Sequence, residues 1–108
     1  MREELTRIKM VAARVVSAES VPDYEGLFQL FLYDGRQRIR VLAPVAHSYS
    51  PSLLSGKKVI LIANLRPVET NDLYSEGEVL LAESESGRPV LVFLGDDIPE
   101  GSKILCLS

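Results

Sequence analysis

Three arginines at every second position, Arg36, Arg38 and Arg40, follow a second series with the same spacing, Gln29, Phe31 and Tyr33. A β-strand sends alternate side chains to opposite faces, so each series shares one face if both segments are strands. Guanidinium groups on such a face can hold phosphates while aromatic rings stack on unpaired bases, the chemistry of single-strand nucleic-acid grooves. The same residues also fit a solvated hairpin whose arginine stems cover exposed rings. Other chemistry has less support. The chain has one histidine and one cysteine, His47 and Cys106, too few for a Cys/His metal cluster or a disulfide. Neither has a partner at catalytic spacing. Asp96-Asp97, Glu83 and Glu85 lie in turn-like sequence without the converging oxygens that calcium or magnesium requires. With no glycine-rich phosphate loop either, no enzymatic activity, cofactor or metal is expected.

The elements that must position the arginines are legible around them. Asp34-Gly35 separates two apolar-alternating runs, residues 27–33 and 36–42, and Asp-Gly suits the positive φ angles of a tight hairpin. With Tyr33 opposite Arg36, Phe31 faces Arg38 and Gln29 faces Arg40 on one side. Leu30 with Ile39 and Phe28 with Val41 then form the core side. Before the hairpin, residues 9–21 read as a long strand, ended by Pro22-Asp23-Tyr24-Glu25-Gly26. After it, Ser50 as cap, Pro51 in the first position and Gly56 at the exit predict a short helix.

Further strands are expected over 57–63, over 75–83 beginning at Gly77, and over 88–93, with a bend at Asn64-Leu65-Arg66-Pro67 and a turn at Ser84-Glu85-Ser86-Gly87. Lys57 and Lys58 are adjacent in a strand and so point to opposite faces. Residues 1–8, with Leu5 and Ile8 three apart, allow two helical turns. Residues 95–108 form a C-terminal extension with an apolar tail. Several short strands with one small helix between them predict an all-β chain: an OB-fold closed barrel of about five strands with a C-terminal strand extension.

A chain of 108 residues is the size of one hydrophobic core, so one domain over 1–108 is expected. Its apolar runs are far too short to cross a bilayer and its start lacks a signal-peptide core, which points to the cytoplasm and to no membrane partner. Twelve basic residues against 15 acidic ones leave a formal net charge of −3. That balance opposes strong non-specific binding to phosphates.

Several segments carry a family resemblance. Ala18-Glu19-Ser20-Val21-Pro22 resembles A-E-x-V-P, the run from Ser50 to Val59 resembles T-P-E-E-L-x-G-K-K-V, and Ala63-Asn64-Leu65-Arg66-Pro67 resembles A-N-L-K-P. Ser75-Glu76-Gly77 stands in the place of S-x-G-M, and the run from Asp97 to Lys103 resembles V-P-P-G-S-K-I. In this order, from Arg14 to about Lys103, the chain is similar to the tRNA-binding domain found in free dimeric proteins, at the C-terminus of many methionyl-tRNA synthetases and within phenylalanyl-tRNA synthetase β chains. The resemblance implies an OB barrel, a homodimer formed through the C-terminal portion, and recognition of tRNA by shape and backbone without catalysis.

It also implies RNA contacts at Asn64, Arg66 and Ser75, to be added to Gln29, Phe31, Tyr33, Arg36, Arg38 and Arg40. The departures run against basic charge. Three usual lysines are Asp23, Gly26 and Gln29 here, further basic positions fall near Glu69 and Asn71, and the usual methionine is Glu78. Three readings therefore stand: a module holding tRNA weakly, in trans or beside an aminoacyl-tRNA synthetase; a structural dimerisation module without RNA contacts; and a chaperone-like peptide binder.

Overall fold

The computed structural model describes residues 8–63, 66–70 and 73–105. The expected helix over 1–8, apart from Ile8, lies outside these residues, as do Asn64, Asn71 and Cys106. The elements follow in order as β1 (Met10–Ser20), β2 (Phe28–Tyr33), β3 (Arg38–Ala43), α1 (Pro51–Leu54), β4 (Lys58–Ile62), β5 (Val68–Thr70), β6 (Leu73–Ser75), β7 (Glu78–Val79), β8 (Leu81–Glu83), β9 (Pro89–Leu91) and β10 (Phe93–Leu94).

Strand β1 is the spine of the fold. Its first half pairs antiparallel with β4, from Met10 opposite Ile62 to Arg14 opposite Lys58. Its second half pairs with β2, and the register shifts between Val15 and Ser17. That bulge bends one strand around two sides of the sheet. The main sheet runs β10-β4-β1-β2-β3, with β7 also on β4. The inward residues are those that alternation selects: Phe28, Leu30 and Leu32 of β2 and Ile39, Val41 and Ala43 of β3 are buried together with Val11, Val15, Leu54, Val59 and Leu61.

The sheet curls back on itself, and its seam rests partly on side chains. Between β3 and residues 75–77, Glu76 N–H donates to Arg40 O (2.8 Å). Arg40 N–H donates to Glu76 Oε1 (2.9 Å), and Leu42 N–H donates to Ser75 Oγ (3.0 Å). The C-terminal segment covers the first half of β1. Gly101 N–H donates to Ala12 O (2.8 Å), Ala12 N–H to Ser102 O (2.9 Å) and Ile104 N–H to Met10 O (3.0 Å).

Two sequence expectations change. In the β2–β3 hairpin Tyr33 lies opposite Arg38 rather than Arg36, Phe31 opposite Arg40 and Gln29 opposite Leu42. The cause is Asp34, whose Oδ1 accepts from the backbone N–H groups of Arg36 (2.9 Å) and Gln37 (2.8 Å). An Asx-type turn of this kind stabilises a longer loop than a two-residue one. The register moves by two residues, so both faces keep their members, but Arg36 leaves the ladder. Next, the strand expected over 75–83 is broken. Strands β5 and β6 pair antiparallel as a separate two-stranded sheet, while Leu80 and Val92 interrupt the later strands so that β8 pairs with β9 and β10 with β4.

Candidate nucleic-acid interface

The outer face of β2 and β3 carries Gln29, Phe31 and Tyr33, all half-buried, beside the exposed Arg38 and Arg40. The Arg40 guanidinium carbon lies 5.9 Å from the centroid of the Phe31 ring and 5.7 Å from that of Tyr74, within cation–π range. Arg14 packs over Tyr33 at 5.7 Å, so β1 supplies a further cation beside the face. Its Nε also donates to Glu100 Oε1 at 3.0 Å, an ion pair between half-exposed groups. This contact ties the face to the C-terminal turn.

The nine predicted residues do not converge on one patch. Five lie on the β2–β3 face: Gln29, Phe31, Tyr33, Arg38 and Arg40. Arg36 sits in the exposed turn and lines a separate cleft of about 310 Å³ with Lys9, Glu100 and Lys103. Arg66 lines a cleft of about 370 Å³ with Leu42, Val68, Ser75, Gly77 and Glu78, next to the seam. Asn64 lies outside the described residues. The Ser75 hydroxyl donates to Gly77 O (2.8 Å) while accepting from Leu42 N–H, so its proton is committed inside the fold. Ser75→Ala is accordingly expected to lower stability by about 1–2 kcal/mol, because it strands the Leu42 amide. Urea unfolding measures that loss.

Two residues of the face were not among those predicted. Tyr74 reaches it from β6, a hairpin whose signal, Thr70-Asn71-Asp72 between short apolar-polar runs, is a turn cluster of the usual kind. Arg14 comes from mid-β1, where the alternation with Val15 marks it as outward-facing. Of the two adjacent lysines, Lys58 is consumed internally, its Nζ donating to Asp96 O (2.8 Å) and Ile98 O (2.6 Å). Lys57 lies 6.0 Å from the Phe93 ring centroid. Among the described residues no group of three His, Cys, Asp or Glu side chains converges as a metal site, and no helix is long and apolar enough to cross a membrane.

Glu100 titrates below the ordinary glutamate value of 4.5, first because its own backbone N–H donates to the carboxylate and next because Arg14 does. A carboxyl whose pKa is depressed by folding stabilises the fold above its unfolded value, and that contribution is lost as pH falls through the lower folded value. The Glu100 carboxyl carbon, followed by NMR, is thus expected to titrate below ordinary glutamate. Arg14→Gln is expected to move its midpoint upward.

An OB-like β-barrel with an arginine and aromatic outer face is the class that this geometry defines. Over residues 10–103 the chain matches the family model described as "Putative tRNA binding domain", and it belongs to that family. It is 35% identical over 100 residues to the methionine–tRNA ligase of Methanocaldococcus jannaschii, covering 93% of this chain and 15% of the ligase. The corresponding figures for the methionine–tRNA ligase of Deinococcus radiodurans are 32% over 102 residues, 94% and 15%. The chain therefore spans about 15% of the length of these curated relatives.

Among solved structures, the MetRS related protein from Pyrococcus horikoshii superposes with a TM-score of 0.88 at 27% identity, covering 97% of this chain and 96% of that one. The chaperone CsaA from Bacillus anthracis gives 0.85 at 24% identity, covering 97% of each chain, a likeness of fold.

Proposed function

We propose that this chain is a non-catalytic tRNA-binding module that holds folded tRNA through backbone contacts on the outer face of β2 and β3. Arg38 and Arg40 are the principal cations, and Arg36 and Arg66 supply flanking ones. The observation that carries this reading is the placement of exposed Arg38 and Arg40 on one face, beside Phe31, Tyr33 and Tyr74, in a chain of the tRNA-binding family. The methionine–tRNA ligase relatives support a role beside a synthetase, and the module acts in the cytoplasm as a homodimer. Its net charge of −3 makes the affinity modest, and each phosphate contact adds about one to the salt slope.

The test is fluorescence anisotropy of labelled folded tRNA, titrated at low and at physiological salt beside a single-stranded DNA control. Micromolar binding that prefers tRNA and weakens with salt supports the reading. No shift at low salt removes it, and a dimer in sedimentation would then favour the structural module.

A further inference from the structure

Arg40 is held from both edges of its strand. On one edge Phe31 is its cross-strand partner, with the ring centroid 5.9 Å from the guanidinium carbon. On the other, Glu76 bonds both Arg40 backbone groups, its N–H donating to Arg40 O at 2.8 Å and its Oε1 accepting from Arg40 N–H at 2.9 Å. Tyr74, two residues before Glu76, lies 5.7 Å from the same guanidinium carbon. Two hairpins thus supply one ring each to a single arginine. An exposed arginine is ordinarily free to sample many rotamers, and ordering it on binding costs affinity. An arginine placed beforehand avoids most of that cost.

From this geometry we infer that Tyr74 is a positioning residue for tRNA binding, which with Phe31 holds the Arg40 guanidinium in place so that its N–H edge meets a backbone phosphate. The inference rests on the proposed tRNA-binding role and assigns the two rings a different task from stacking on bases. A planar guanidinium presents paired N–H donors at its edge, and two phosphate oxygens match that fork. The ring contacts leave the edge donors available, since cation–π attraction acts through the ring face rather than through hydrogen bonds.

The two tasks differ in one measurable respect. A ring that stacks on a base contributes whether or not Arg40 is present, whereas a ring that positions Arg40 contributes only through it. The experiment is a double-mutant cycle in the full chain, with Tyr74→Leu, Arg40→Gln and the pair, read as affinity for folded tRNA at several salt concentrations. Tyr74→Leu is expected to weaken binding about five-fold, and Arg40→Gln about ten-fold with a loss of roughly one in the salt slope. The pair should match Arg40→Gln alone, and Tyr74→Phe should stay within about two-fold of the parent, since the ring alone is required.

Equal losses from Tyr74→Leu in the presence and absence of Arg40 would overturn the inference in favour of base stacking, and no loss at all would overturn it outright. Either result leaves the tRNA-binding reading standing, because the parent chain still binds. A parent that fails to bind tRNA at low salt removes that reading, and the inference falls with it. Should Tyr74→Leu fail to fold by circular dichroism, Phe31→Leu carries the same cycle from the other edge.

Discussion

Replacing Arg38 and Arg40 together by glutamine is expected to weaken binding of folded tRNA by one to two orders of magnitude at low salt, roughly ten-fold for each lost phosphate contact. The two side chains leave the same face of β3, and positions two apart along a strand are separated by about 6–7 Å, so both can follow one RNA backbone. Loss of two cations should also lower the slope of log affinity against log salt by about two. Glutamine removes the charge but keeps a shorter polar side chain, and both residues are exposed, so urea unfolding should move little. Retained affinity in this variant, with the parent binding normally, would shift the interface to the Arg66 cleft or the Arg36 turn.

A second large effect is expected far from any charge. Gly101 has φ +86°, and a Cβ there would lie 2.8 Å from Asp34 O, a backbone atom that cannot swing aside. Facing it, Gly35 at φ +93° would place a Cβ 2.9 Å from Glu100 O. The hairpin turn and the C-terminal turn therefore cross with backbone against backbone. Gly101→Ala combines left-handed strain, about 1 kcal/mol, with a clash that must displace one turn, for a total of roughly 3 kcal/mol or more. Gly87→Ala is the matched control, with φ +83° and open space where the Cβ would be. It should show only the strain, about 1 kcal/mol. Similar urea midpoints for the two variants would mean that the crossing yields easily.

Strand faces were legible in the sequence because alternation between core and outer residues is a local property. Phe28, Leu30 and Leu32 against Ile39 and Val41 need no tertiary information to be assigned inward. The loop length is not legible in the sequence because Asp34 serves as turn residue and as acceptor for two later amides, and dipeptide preference cannot show the second role. Because the resulting shift was even, Phe31 and Arg40 still shared a face, but as opposite partners rather than as neighbours on a diagonal. Tyr74 is not legible for a different reason: its strand and the one it pairs with are only three residues each, and its approach to Arg40 follows from the curl of the sheet. At Ser75 the position matches the family pattern, while its hydroxyl bonds Leu42 N–H and Gly77 O within the fold, a local role that a motif does not display.

The seam at Arg40 and Leu42 has a kinetic consequence. Strand β3 is zipped to β2 along its whole length but joined to residues 75–77 by two side-chain acceptors and one backbone bond. Such a join can part without global unfolding, and its amides should exchange with deuterium sooner than those of β1 or β4. Parting it removes Glu76 and Tyr74 from Arg40 in one movement. On the proposal that Tyr74 positions Arg40, the open seam is a weaker-binding state, so solution conditions that loosen it should lower the apparent affinity before any loss of secondary structure is visible.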